Sequence, residues 1–396
     1  MGNLSTPNLR FPDFNGEWIK KKLGELSIIN PTTFKLPDKF IYIDLESVTN
    51  GQLIKEEVVF KSKAPSRAQR VLERDDILFQ MVRPYQKNNL YFDKNGDYVA
   101  STGYAQIKTK QSSRFLYQYL HLKKFVDEVI ERCTGTSYPA INSKDLAKIN
   151  IRYPSLPEQQ KIASFFTAID QKISQLKRKK NLLEQYKKGV MQKIFSQEIR
   201  FKDDNGQEFP NWEKKKLGEL TYKTGKKNND STPFPIYSIN NREGFLPQGD
   251  QFEGVDSNSR GYDISLYKII EEKTFAYNPA RINVGSIGFS GDLKNIIISS
   301  LYVCFKTKQG LEDAYLLHYL KTFQFNKSVL QNVEGGVRDY LFYENFSNIK
   351  INLPTNKEQL KIVSFLSAID DKINHTQKQI EKAEVWKKGV MQQMFC

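Results

Sequence analysis

EQQKIASFFTAIDQKI at 158–173 returns as EQLKIVSFLSAIDDKI at 358–373, and KKGVMQKIF at 187–195 returns as KKGVMQQMF at 387–395. The spacing is 200 residues throughout, without a gap. A long internal repeat constrains architecture before local propensity does, because each copy must bury the same face in the same way. Both copies open on a capping-box pattern, Ser155-x-x-Glu158 and Thr355-x-x-Glu358, and Pro157 suits a first helical turn. Apolar positions then recur every seven residues. In the first copy one seam is Ile162, Ile169, Leu176, Leu183 and Val190, and the other is Phe166, Ile173, Lys180, Lys187 and Ile194. In the second copy the seams are Ile362, Ile369, Thr376, Ala383 and Val390, and Leu366, Ile373, Ile380, Lys387 and Met394. A 3.5-residue period held over five heptads predicts a coiled coil. Each helix should run about 40 residues, roughly 60 Å at about 1.5 Å per residue.

The repeat reaches beyond the helices. Ile149, Ile151 and Pro154 match Ile349, Ile351 and Pro354; Gly135 matches Gly335; Leu116, Tyr119 and Leu120 match Leu316, Tyr319 and Leu320. Near the start of each half, Trp18 leads into KKKLGEL ending at Leu26, and Trp212 into KKKLGEL ending at Leu220. Arg10-Phe11 stands before the first entry and Arg200-Phe201 before the second. The start of the chain should therefore lie where the second helix ends. Antiparallel helices achieve this, with a pseudo-two-fold repeat and nearly joined termini.

Between entry and helix, short β-rich runs dominate: Phe40–Leu45, Glu57–Phe60, Asp76–Val82, Tyr98–Ser101, Lys273–Tyr277, Asn295–Ser299 and Leu301–Lys306. A helix over Ser113–Glu131, matched over Leu311–Leu330, follows them. The fold class is α+β: two mixed α/β domains with twisted sheets, joined by a long antiparallel two-helix coiled coil. The domains read as 1–155, a central helix at 156–199, 200–353, and a C-terminal helix at 354–396.

Lys plus Arg number 60 against 45 Asp plus Glu, a net +15 over 396 residues, which favours a polyanionic partner such as nucleic acid. Three scattered cysteines and three scattered histidines give neither a disulfide framework nor zinc spacing. No run of 18 apolar residues occurs, and the first residues lack an apolar signal segment, so a cytoplasmic protein is expected.

Loops in each middle carry base-reading chemistry. The first set is Arg83, Tyr85, Lys87 and Asn88, with Thr136, Ser137 and Tyr138 after Gly135. The second is Asn241 and Arg242, then Tyr277, Asn278, Arg281 and Asn283, with Arg338, Asp339 and Tyr340 at the place matching 138. Arginine can pair bidentately with guanine and Asn or Gln with adenine, while lysine serves phosphates. The glycine in each helix end costs about 1 kcal/mol relative to alanine. Close approach of another chain would explain it, so Gly189, Met191, Gln192 and Phe195, with Gly389, Met391, Gln392 and Phe395, are the candidate partner-binding residues. No P-loop, Gly-x-Gly-x-x-Gly, Asn-Pro-Pro-Tyr or deaminase pattern is present, which argues for recognition without catalysis or metal. A stand-alone DNA-binding regulator with two unequal readers fits these residues too.

The repeated helix starts, the KKGVMQ helix ends, the Trp/KKLGEL entries and the two divergent middles together resemble the specificity subunit of type I restriction–modification enzymes. The resemblance covers essentially the whole chain. It implies two target recognition domains reading the halves of a bipartite site in double-stranded DNA. It also implies that the helix pair sets the gap between half-sites. Two methyltransferase subunits would dock along the helices and two restriction/translocase subunits would join them. S-adenosylmethionine, ATP and Mg would be bound by those partners, with no cofactor in this chain. One local departure is Asp75-Asp76-Ile-Leu, where many relatives have Gly-Asp-Ile-Leu.

Overall fold

The structure, a computed structural model, describes residues 6–33, 35–241, 243–251, 254, 256–257, 260–333 and 340–395. The chain divides into two compact units, Met1–Arg178 with Thr376–Cys396, and Lys179–His375. The two repeated helices, Leu156–Phe195 and Asn356–Met394, each start in one unit and end in the other.

In the first unit, one sheet runs Glu57–Phe60, Lys39–Ile43, Tyr98–Ser101, Ala68–Val71. A second runs Ser27–Ile29, Tyr104–Thr109, Ile77–Gln80, Leu90–Tyr91. The second unit has a four-stranded sheet of Thr221–Thr224, Val303–Thr307, Phe275–Tyr277 and Ile287–Phe289. Its other sheet has five strands, Lys226–Lys227, Lys268–Ile270, Ile296–Ile298, Ile236–Asn240 and Gly244–Pro247. Both units contain one parallel pair among antiparallel neighbours, Tyr98 beside Ile41 and Ile236 beside Ile297.

The KKLGEL entries form the same device twice. Ile19–Lys22 pairs antiparallel with Asn150–Tyr153, and Glu213–Lys216 with Lys350–Leu353. A single helical turn follows, burying Leu23 and Leu217 completely. The glycine is needed because another helix passes close by. A Cβ at Gly24 would lie 3.0 Å from the Ala147 side chain, and at Gly218 2.8 Å from that of Ser347.

The helix expected over 113–131 is two helices, Ser113–Tyr119 and Lys123–Glu131, repeated as Asp313–Tyr319 and Phe323–Asn332. In the second copy the break is made by Thr322, whose hydroxyl accepts from the Phe325 amide and caps the new start. The bend turns Leu116, Leu120 and Phe125 into one core, and Leu316, Leu320 and Phe325 into the other.

Every predicted seam position of the long helices is buried or half-buried. Within the first unit the start of the first helix runs against the end of the second, Asp170 meeting Lys387 and Lys177 meeting Glu384. Within the second unit the roles exchange, and Lys187 meets Asp370. The antiparallel pairing thus holds inside each unit. Leu9 donates its amide to the Gln393 carbonyl at 2.9 Å, so the two ends of the chain meet as the flanks predict.

The glutamates assigned to capping boxes have another role. Glu158 is 1% exposed and takes Nε and a terminal nitrogen of Arg10 on its two oxygens, both at 2.7 Å. Glu358 is fully buried and takes Arg200 at 3.2 and 2.8 Å, with the Trp212 indole N–H at 2.9 Å. The neighbouring Gln159 and Gln359 tie each helix start to the loop before the 113 and 313 helices. They accept from the Ser112 and Glu312 amides and donate back to the Pro154 and Pro354 carbonyls.

Candidate nucleic-acid interface and partner face

In the first unit the buried strand Ile77–Gln80 delivers the chain to Arg83, which stands in the left-handed region at φ 53 ahead of the 3-10 turn Pro84–Gln86. Gln80 anchors the loop from below: its side chain bonds Gln86 and the Asn88 amide, and its own amide bonds Asn89. The segment around Tyr138 is laced to the same strand end, with Arg83 donating to the Pro139 carbonyl at 2.8 Å and Ile141 to Met81 at 3.1 Å. Two loops separated by fifty residues of sequence therefore form one surface. The Arg83 guanidinium carbon lies 4.2 Å from the centre of the Tyr138 ring. Tyr138 is 64% exposed and Tyr85 50%, and Thr136 and Ser137 are exposed beside them.

Lys87 and Asn88 are less free than their residue types suggest. Lys87 donates its Nζ to the His121 carbonyl, and burial lowers its pKa. Asn88 accepts from the Asn50 amide at 3.1 Å.

The second unit repeats the construction with other side chains. Phe275–Tyr277 leads into Asn278, whose side chain accepts from the Ala280 amide at 3.0 Å and turns the chain. Arg281 and Asn283 are exposed on the short turn Ile282–Val284. Leu341 donates to the Pro279 carbonyl at 3.0 Å, the counterpart of Ile141 to Met81. Tyr340 stacks on Phe342, rings 5.8 Å apart and 6° from parallel. Asn241 is exposed, and its carbonyl lies 3.6 Å from where a Cβ on Gly285 would stand. Among the described residues neither Arg83 nor Arg281 pairs with a carboxylate. Arg242, Arg338 and Asp339 lie outside the described residues.

Tyr277 requires a correction. It is fully buried, with its ring 5.6 Å from Phe346 and 6.2 Å from Phe305, and burial pushes its phenol well above the ordinary tyrosine range. It ends a strand whose three residues are all buried, so it shapes the loop without reaching the surface.

The helix ends need a similar correction. Met191, Phe195, Met391 and Phe395 are all under 10% exposed. Phe395 packs among Trp18, Phe115, Tyr119 and Phe166, and Phe195 against Tyr315 and Tyr319. These four side chains fill cores of this chain and are not available to a partner. The other four expected residues stay outward: Gln192 and Gln392 are exposed, and a Cβ on Gly189 or Gly389 would meet nothing within 4 Å. One turn earlier, Tyr186 and Trp386 occupy equivalent places and are 54% and 52% exposed. Sequence reading passed over this aromatic pair, although its 200-residue spacing beside each glycine was visible.

Among the described residues there is no group of three or more His, Cys, Asp or Glu side chains that could hold a metal ion, and no helix long and apolar enough to cross a membrane.

The family model described as the type I restriction modification DNA specificity domain matches residues 15–185 and again 210–385. The type I restriction enzyme MjaIX specificity subunit of Methanocaldococcus jannaschii is 26% identical over 291 residues, 68% of this chain and 65% of that protein. The type I restriction enzyme HindI specificity subunit of Haemophilus influenzae is 24% identical over 188 residues, 45% of this chain and 41% of that protein. The chain spans just under two thirds of the length of two of the Methanocaldococcus relatives it matches. Among solved structures, the type I restriction–modification S subunit of M. genitalium has the same fold, with TM-score 0.58 at 16% identity over 99% of both chains. A structure from work on complex assembly and conformational transition of the type I R-M system also has TM-score 0.58, at 19% identity over 94% of this chain and 96% of that one.

Proposed function

The chain belongs to the type I restriction modification DNA specificity family, and on that footing we propose that it is the DNA-recognition subunit of a type I restriction–modification system. Each unit reads one half of a bipartite double-stranded site. The helix pair sets the unspecified gap and offers a face to two methyltransferase subunits, with two restriction/translocase subunits completing the enzyme. The chain itself is non-catalytic. S-adenosylmethionine, ATP and Mg belong to the partners, and the assembly works in the cytoplasm.

One observation carries this reading. The same frame is built twice, and at the same place on each copy it presents a different set of polar side chains. Arg83, Tyr85, Thr136, Ser137 and Tyr138 crown the first, and Asn241, Arg281, Asn283 and Tyr340 the second. A duplicated scaffold with unlike crowns suits a target with two unlike halves. Base-edge contacts from these loops supply specificity, and the net +15 charge supports salt-dependent attraction to phosphate.

Methylated-site mapping in cells expressing the chain with its methyltransferase tests the reading. Exchanging residues 27–153 for those of another family member should change one half-site and leave the other and the gap intact. Unchanged sites, or change in both halves, would defeat it.

A further inference from the structure

We propose that Arg83 reads a guanine in the half-site of the first unit, and that Tyr138 is the residue that positions it. The inference rests on the reading of this chain as a DNA-recognition subunit and names one of its base contacts.

The guanidinium is stacked on one face and buried at Nε, yet has no ionic partner among the described residues. Its carbon lies 4.2 Å from the Tyr138 ring centre, a cation–π distance. The Arg83 amide bonds the Pro139 carbonyl, so the stacking partner and the arginine belong to one tied structure. Arg83 Nε is buried and has no hydrogen-bond partner among the described residues. One edge of the group is thus closed off, and the terminal nitrogens remain to meet a ligand.

A planar fork held by stacking suits bidentate pairing with guanine O6 and N7. A phosphate contact would be served as well by a point charge. The loop does hold such a charge in Lys87, but that ammonium is turned inward onto the His121 carbonyl. What flanks the arginine outwardly is aromatic and hydroxylic: Tyr85, Thr136, Ser137 and Tyr138. The place equivalent to Tyr138 in the repeat is Arg338, so the two units would not share this device.

The test is selection of bound duplexes from a library randomised across a full bipartite site, using the full-length chain and its variants. The wild type should enrich a motif containing a guanine that Arg83→Ala no longer selects. A preference of roughly ten- to a hundredfold should fall towards none at that position alone. Arg83→Lys, which lacks the planar fork, should keep overall affinity within a few-fold and weaken the guanine preference. Tyr138→Ala should weaken the same position, and Tyr138→Phe should restore it. Retention of the guanine by Arg83→Ala, or uniform weakening of all sequences by that variant, would make the residue a phosphate contact and overturn the inference. A Tyr138→Ala motif identical to wild type would remove the positioning role. Failure of the wild type to enrich any motif would instead defeat the DNA-reading function on which the inference stands.

Discussion

Lys187 on the first long helix places its Nζ 2.6 Å from both carboxylate oxygens of Asp370 on the second. Lys387 and Asp170 make the reciprocal contact, also at 2.6 Å. Both lysines occupy heptad seam positions where an apolar residue would ordinarily sit. A half-buried cation in a helix seam costs stability unless paired, and the carboxylate that pairs it exists in only one register. The Lys187 side chain is 14% exposed and that of Asp370 39%, so water screens part of the attraction. Lys187→Ala or Asp370→Ala should cost about 1–2 kcal/mol, with about 1 kcal/mol of coupling in a double-mutant cycle. Denaturant unfolding of the singles, the double and the exchanged pair Lys187→Asp/Asp370→Lys measures this. Purely additive losses would show that the pair does not act as a unit.

The buried glutamates at the helix starts should be more sensitive, and unequally so. Removing one partner of a buried, bidentate ion pair leaves an unpaired charge, typically a loss of about 3–5 kcal/mol. Glu358→Ala strands both Arg200 and the Trp212 indole N–H. Glu158→Ala takes from Arg10 its carboxylate partner, whereas the Trp18 indole nitrogen has no partner to lose among the described residues. Glu358→Ala should therefore be the more destabilising, and should also alter the tryptophan emission of the folded chain. Equal losses with unchanged emission would count against the role given to Trp212.

His318 gives the second unit an acid-sensitive position. Burial, with Lys187 nearby, pushes its pKa down to about 4, while Asp370 opposes the shift; its Nδ1 has no hydrogen-bond partner among the described residues. The folded state holds the ring neutral and the unfolded chain protonates it near 6.5. Its contribution to stability is thus whole above pH 6.5, declines as pH falls towards 4, and levels off below. The loss by pH 5 should be about 1–2 kcal/mol. The equivalent residue Gln118 donates to Asp170 at 2.8 Å. His318→Gln should therefore flatten this part of the stability–pH curve, leaving in place the contribution of His121, which burial also pushes down to about 4. A variant curve parallel to wild type between pH 7 and 5 would exclude the histidine as its source.

The helix pair, its antiparallel sense and the meeting of the chain ends were legible because repetition and a 3.5-residue period are properties of sequence alone. The partners of the seam lysines were not, because a heptad pattern says which face is buried and not which charge lies opposite. Arg10 and Glu158 stand 148 positions apart and meet only after the chain has closed. The loops were legible in place but the direction of their side chains was not: Tyr277 and Tyr138 look alike in sequence, yet Tyr277 ends a strand buried on both faces and Tyr138 stands on an exposed loop. Asp75 shows local chemistry overruled by context. It holds φ 71, a left-handed conformation that favours glycine, and its carboxylate accepts from the Tyr91 hydroxyl.

The glycines of the helix ends offer the sharpest division between fold and assembly. Gly189 and Gly389 lie near the C-termini of the long helices but still within them, where glycine is disfavoured by up to about 1 kcal/mol relative to alanine. Nothing among the described residues requires them, since a Cβ at either would meet no atom there within 4 Å. Replacement by alanine should accordingly raise the stability of the isolated chain by about 0.5–1 kcal/mol at each site. Under the proposed function the space above them, flanked by Tyr186 with Gln192 and by Trp386 with Gln392, is where a methyltransferase backbone approaches. Gly189→Leu or Gly389→Leu should leave the chain folded yet each reduce the partner recovered on co-purification, and the double variant should abolish it. Full partner recovery by the double leucine variant would free both faces from any docking role.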